Sequence, residues 1–174
     1  MKIAFVGPIF SGKTRTALAL GYVTKIETLA FGDLVKEEVA RAVSDNDPIE
    51  RSRVLHEMHT PELKYKWREI LQVWGTEVRR RHYGDDYWVK KMENELLDFS
   101  SIIVDDCRFW NEYDMLKEHD FWFVRCMPKE ANTSLTALHE SEMYWAQFPV
   151  DLTLEWKPVE KRVKDIIKKF NYHI

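Results

Sequence analysis

Cysteine is nearly absent: Cys107 and Cys126 are the only two in 174 residues. Their spacing gives neither a disulfide framework nor a zinc ligand set, and a reduced, cytoplasmic setting is expected. Glycine and proline are also scarce, at 6 each, which excludes collagen-like and low-complexity classes. No apolar run is long enough to cross a bilayer, and Lys2–Val6 leads straight into a glycine turn without the apolar stretch of a secretory leader. Charge of one sign is missing too. The net charge of -3 argues against a dedicated nucleic-acid binder, which would carry a strong basic excess. No repeat or linker divides the chain, so a single domain over residues 1–174 is expected.

What is present suits a globular core. Hydrophobic residues make up 45% and aromatics 13%, with 7 Trp, and rings of that size are mostly buried. Short apolar runs at residues 2–6, 24–31, 101–105, 121–125 and 152–156 read as strands. Helical periodicity appears at residues 13–20, 61–83, 86–99, 111–118 and 159–170. Asp33 is placed to cap a further helix reaching about Val43, and residues 44–48 form a breaker cluster. Strands alternating with helices imply an α/β fold with a mainly parallel sheet.

Gly7, Gly12, Lys13 and Thr14 fit the pattern G-x-x-x-x-G-K-[ST], with a strand before it and a helix after it. Glycines let the backbone curl so that its N–H groups face a phosphate, and the helix N-terminus adds partial positive charge. Gly7, Ser11, Gly12, Lys13 and Thr14 are therefore the candidate phosphate ligands. Lys13 would reach the β- and γ-phosphates, and Thr14 would hold Mg2+. The N-K-x-D motif of a GTPase is missing.

Two further patterns carry chemistry. At about 100° per residue, Arg68, Gln72, Gly75 and Arg79 share one helical stripe, while Trp67, Leu71, Trp74 and Val78 form a neighbouring stripe that should pack on the core. The first stripe suits phosphate and base recognition, or else is a solvated face with a packing glycine. Asp105, Asp106 and Arg108 follow a buried strand at its carboxyl end, where open α/β sheets bind ligands. Asp106 can hold Mg2+ directly or through water, and Arg108 can neutralise transferring charge; the plainer reading is a surface ion pair.

Taken in order, these motifs resemble the phage-type deoxynucleoside monophosphate kinases, a P-loop family of the nucleoside-monophosphate-kinase fold. The matching residues are the glycine loop; Phe31, Gly32, Asp33, Leu34 and Lys36; Arg68, Leu71, Gln72, Gly75, Thr76, Glu77, Arg80, Trp88 and Val89; Asp106, Arg108, Phe109, Asn111 and Glu112; and His139, Glu140, Ser141 and Glu142. They span residues 3 to 156. The resemblance implies a three-layer fold with a helical acceptor-binding region over residues 33–99 and a short lid-like segment at 127–140. It implies γ-phosphoryl transfer from ATP, with Mg2+, to a deoxynucleoside 5′-monophosphate. Asp33, Lys36, Arg68, Gln72, Gly75, Trp88, Asp106 and Arg108 would then meet the acceptor. Arg79 and Arg80 compete for one family position, and α-helical geometry favours Arg79. The lid supplies only Lys129, so Arg125 would stand in for the usual lid arginines beside Lys13, Arg68, Asp106 and Arg108 in catalysis. His139 would cap a helix or touch adenine. Closure of residues 44–61 and 127–138 would gate the site. The resemblance also implies a phage protein of the host cytoplasm and allows a homodimer.

Two other readings stay open. The animal-type phosphomevalonate kinases are similar around Lys36, Arg68, Gly75, Arg108 and Glu142, but offer Gln72 no base to bind. A non-catalytic nucleotide- or nucleic-acid-binding module would use Arg79, Arg80, Arg81, His82, Lys90 and Lys91 with Trp88. The tryptophans at 67, 74, 88 and 110 read as core, with Trp88 the best candidate to stack on a base. Lys161, Arg162, Lys164, Lys168 and Lys169 read as a solvated helical face.

Overall fold

The strands are short because each apolar run is cut by a turn or an acid within a few residues. In the computed structural model, which describes residues 1–60, 62–130 and 142–172, all five expected runs pair. They are β1 (Lys2–Val6), β2 (Thr28–Leu29), β3 (Ile102–Val104), β4 (Trp122–Cys126) and β5 (Leu152–Leu154). Every pairing is parallel, in the order β2-β3-β1-β4-β5. β1 is therefore central and paired on both edges, and its Ile3, Ala4, Phe5 and Val6 have no exposed surface. That matches the uninterrupted apolar pattern of a strand covered on both faces.

The connections leave β1 and β3 in opposite senses. From β1 the chain passes through α1 (Lys13–Thr24) to β2; from β3 it passes through α7 (Trp110–Glu118) to β4, across β1. Right-handed crossovers then place α1 and α7 on opposite faces of the sheet. One face is closed by α1 and α8 (Val159–Lys169): Ala17, Leu20, Val163 and Ile166 pack with Ile3, Phe5, Ile103 and Val124. Burying each of the larger side chains contributes about 1.5–3 kcal/mol. Beside α7, Tyr113 stacks on Phe148 at 5.1 Å, and Trp110 meets Phe148 edge-on at 4.7 Å. The two strand ends where connections diverge, after β1 and β3, are the switch point at which such sheets bind ligands.

The chain divides into two compact units, Met1–Ala30 with Leu96–Ile174, and Phe31–Glu95. The second is helical: α2 (Phe31–Val43), α3 (Pro48–His59), a 3₁₀ turn (Lys64–Trp67), α4 (Arg68–Gln72), a π-helix (Val73–Arg80), α5 (Arg81–Tyr83) and most of α6 (Tyr87–Leu96). Among the described residues no helix is long and apolar enough to cross a membrane.

This unit corrects the sequence reading in three places. The breaker cluster at 44–48 is real, with Asp45 and Asn46 at positive φ, but it also launches α3, a helix the sequence reading did not include. Asp47 caps that helix, accepting from Ile49 N at 2.8 Å and Glu50 N at 3.1 Å, with Pro48 in the first turn. Second, α2 starts at Phe31, so Asp33 lies inside its first turn and does not cap it. Third, the helix expected over residues 61–83 is interrupted by 3₁₀ and π segments. The apolar stripe survives that interruption: Trp67, Leu71 and Trp74 pack against Val39, Ala40, Val54 and Met58.

One carboxylate organises much of this unit. Glu38 accepts from Trp74 Nε1 at 3.1 Å, from Arg79 Nε at 2.6 Å, and from Tyr87 and Lys91. Burial pushes the Glu38 carboxyl up, but these donors outweigh it and hold it at about 2. Its contribution to stability is therefore complete above the ordinary value of 4.5 and is lost as pH falls toward 2. Glu38→Gln should lower the thermal midpoint at pH 7 and flatten the fall in midpoint between pH 4.5 and 2. Melts followed by tryptophan fluorescence, to which Trp74 contributes, check both effects.

Candidate functional site

The turn after β1 needs glycine for a steric reason. Gly7 has φ 144°, and a Cβ there would stand 2.5 Å from the Cys126 carbonyl oxygen at the end of β4. Gly12 has φ 79° immediately before α1. Between them the chain curls over the sheet end, and α1 directs its free N–H groups into the curl. The Ser11 side chain has no exposed surface, and its Oγ has no hydrogen-bond partner. A buried hydroxyl in that condition suits an incoming acceptor such as a phosphate oxygen.

Lys13 turns back along the curl and donates to Gly7 O at 2.6 Å and Pro8 O at 2.8 Å. Burial pushes its ammonium down to about 8, with the Arg108 cation adding to the effect. Glu142 and Asp106 act in the opposite direction. Arg108, after β3, is ion-paired to Glu142, whose side chain is 3% exposed. The other Glu142 oxygen accepts from Ile9 N at 2.7 Å, so this carboxylate ties Arg108 to the glycine loop. Burial alone would disfavour the Arg108 cation, but Glu142 and Asp106 raise its pKa above the ordinary value. The loop carrying Arg108 is fixed by buried Glu112, which accepts from Arg108 N at 2.8 Å and Phe109 N at 3.1 Å. Lys13, Arg108, Asp106 and Glu142 thus form one coupled group at the ends of β1 and β3.

Arg125, at the end of β4 and in register with Val6, gives its Nη2 to the Phe148 carbonyl at 2.5 Å and keeps a buried Nε with no hydrogen-bond partner. Arg162 corrects the reading of a solvated face. It is 2% exposed and donates to Ser11 O at 2.7 Å, Met127 O at 3.0 Å and Glu155 O at 3.2 Å. Its position in a basic helix gave no sign of this, because the acceptors are main-chain carbonyls far away in sequence. Next to it a cavity of about 400 Å³ is lined by Trp156, Lys157, Pro158, Lys161, Lys164 and Asp165. The expected lid residues 131–140, including His139, lie outside the described residues.

In the helical unit, Lys36 donates to Asp33 at 2.5 Å and His59 contacts the same carboxylate at 3.2 Å. Burial raises the Asp33 pKa, but Lys36 and His59 bring it below its usual value. Arg68 and Gln72 are half-buried, and Arg68 Nε is a buried donor with no partner. The π-helix alters the stripe beyond them. Hydrogen bonds from i to i+5 reduce the rotation to about 80° per residue, so Arg80 comes back toward the direction of Arg68, and Arg79 does not. Arg79 instead binds Glu38 and lies over the rings of Trp74, Tyr83 and Tyr87. Glu38 is about 200° around α2 from Lys36, so Arg79 and Lys36 face different ways. Arg80 is 7% exposed and donates to Asp85 O.

Trp88 is also corrected as a base-stacking residue. It is 2% exposed and its indole N–H donates to Gly75 O at 2.8 Å, so its faces belong to the core. Gly75 borders Val35 and Trp88, where a Cβ would make ordinary contact at 3.6 Å or more. The proposed basic patch is largely engaged as well, since Arg79 and Lys91 share Glu38 and Arg81 pairs with Glu77.

The fold has a counterpart among solved structures. The chain shares its fold with a shikimate kinase. That protein, from Aquifex aeolicus vf5, superposes with a TM-score of 0.50 at 12% identity, over 98% of this chain and 96% of its own. A gluconokinase from Sinorhizobium meliloti 1021 matches at a TM-score of 0.47 and 14% identity, over 98% and 91% of the respective chains. Neither a protein-family profile nor a curated protein sequence matches the chain.

The state of Lys13 leads to a measurable pH dependence. An anion bound in the curl favours the ammonium, so binding takes up a proton once the pH exceeds about 8. Affinity for Mg-tripolyphosphate should therefore fall as pH rises through about 8, with proton uptake visible by calorimetry in buffers of different ionisation enthalpy. Lys13→Met should bind weakly and show no such uptake.

Proposed function

We propose that this chain is an ATP-dependent kinase that phosphorylates a deoxynucleoside 5′-monophosphate. The observation that carries the kinase reading is the coupled group at the glycine curl: buried Lys13 and half-buried Arg108 are close enough for each to feel the other's charge, with Glu142 ion-paired to Arg108. Two cations held close beside free helix N–H groups suit a transferring phosphoryl group, whose charge builds on its outer oxygens. The narrower reading of the acceptor is supported by the resemblance of the Arg68, Gln72 and Arg108 motifs to those of the nucleotide enzymes. The unpartnered Arg68 Nε, one helical turn from Gln72, adds a donor for an anionic acceptor.

In this reading the loop N–H groups, Ser11 Oγ and Lys13 hold the donor phosphates, and Arg108 meets the transferring phosphoryl group. Lys36 and Arg68 are the candidate ligands of the acceptor phosphate. The bond from the γ-phosphorus to the ADP oxygen breaks as a bond to an acceptor phosphate oxygen forms. The protein contributes position and charge and forms no covalent intermediate. Among the described residues no three His, Cys, Asp or Glu side chains gather to hold a metal. Mg2+ carried on nucleotide phosphates needs only one or two protein ligands, and Thr14 with Asp106 fits that demand. Such an ion would screen the repulsion between donor and acceptor phosphates.

The test is ADP release with ATP and Mg2+ against the four deoxynucleoside monophosphates, their ribose counterparts, phosphomevalonate, shikimate and gluconate. Turnover with one or more deoxynucleotides is expected. Turnover confined to another acceptor would keep the kinase reading and replace the substrate, whereas silence with all of them would favour a binding module. Lys13→Ala should reduce turnover by about 10³-fold or more, with the far-UV spectrum unchanged. Arg68→Ala should raise KM for the monophosphate more than KM for ATP; equal increases would remove Arg68 from the acceptor site.

A further inference from the structure

The glycine loop contains one bulky residue in a conformation that favours glycine. Phe10 has φ 63°, an outlier for an aromatic side chain, and the residue is 74% exposed. So little burial cannot offset the strain, and some other contact must keep the loop in this shape. The main-chain groups on either side of Phe10 are held by charged side chains that are themselves nearly inaccessible. Before it, Ile9 N donates to Glu142; after it, Ser11 O accepts from Arg162, both at 2.7 Å. Each holder is anchored elsewhere. Arg162 also grips the carbonyls of Met127, just after β4, and Glu155, just after β5. Glu142 is held by Arg108.

We propose that Glu142 and Arg162 are positioning residues that brace the loop on both sides of Phe10 and keep its N–H groups aimed at the phosphate site before a ligand arrives. The inference rests on the loop being a phosphate site. Without the brace, Phe10 would relax to negative φ and rotate the flanking peptides, so binding would have to restore the strained shape. The chemistry of the two residues matches the task. A guanidinium fork reaches three carbonyls in different directions, which a lysine ammonium on one flexible stem cannot. A carboxylate offers one oxygen to Ile9 and another to Arg108, whereas an amide has a single acceptor oxygen.

The experiment measures Mg-tripolyphosphate binding by calorimetry in the wild-type chain, Arg162→Lys, Glu142→Gln, Phe10→Gly and the two double variants that add Phe10→Gly. Circular dichroism verifies that each is folded. Arg162→Lys and Glu142→Gln should each bind at least 10-fold more weakly, and Phe10→Gly alone should bind within about 3-fold of wild type, because glycine takes positive φ without steric cost. Added to either weakened variant, Phe10→Gly should recover most of the lost affinity, which a residue important only for overall folding would not show. Unchanged binding in both brace variants, or no recovery with glycine, would overturn the proposal while leaving the phosphate site intact. The two brace residues are tested independently, so loss of folding in one leaves the other decisive. Failure of the wild-type chain to bind tripolyphosphate would overturn the phosphate-site reading and this inference together.

Discussion

Of the glycines at positions 7, 12, 21, 75 and 84, Gly7 has the least room for a side chain: a Cβ there would stand only 2.5 Å from the Cys126 carbonyl oxygen. β1 and β4 are paired up to Val6 and Arg125, so the chain leaving β1 has to pass over the end of its neighbour. Glycine permits that passage, and the curl that follows sets the position of Gly12, the start of α1 and the course of the Lys13 side chain. At the ends of β3 and β4 the loop is linked through Glu142 to Arg108 and through Arg162 to the Met127 carbonyl. A substituent at Gly7 would displace the loop and everything aligned with it.

Each of the two compact units is organised by a nearly buried carboxylate. Glu142 links Arg108 to the glycine loop, and Glu38 gathers Trp74, Arg79, Tyr87 and Lys91 from two helical segments. The energetic logic is the same in both. A buried anion is costly alone, but several good donors make it stable and make its neighbours' positions specific. The consequences differ. Around Glu38 the donors are used up in holding helices together. Around Glu142 the partner is a cation poised at a strand end, with Lys13 close enough for its charge to be felt.

Much of the fold was legible because its signals are local. Five apolar runs bounded by turns marked the strands, and the glycine spacing with its flanking strand and helix marked the loop. The omissions share a cause. Helix α3 was hidden behind a cluster that breaks one helix and caps the next, since Asp47 and Pro48 serve both purposes. The π-helix has no clear sequence signature, yet it rotates Arg79 away from the stripe that α-helical counting assigns to it.

The sequence by itself determined the order of the strands, the glycine curl at Gly7 and Gly12, and the acid–arginine segment following β3, because each depends on residues close together in the chain. Only the tertiary structure decided the fate of the individual charges and rings. Arg162 reads as a surface cation and is buried against three carbonyls, Trp88 reads as core with a second reading as a base-stacking ring and is held in the core by its bond to Gly75, and Arg79 reads as a ligand for substrate and is spent on Glu38. Periodicity indicates which side of a helix a residue occupies, but whether that side meets water, a carbonyl or a carboxylate depends on segments far away in sequence.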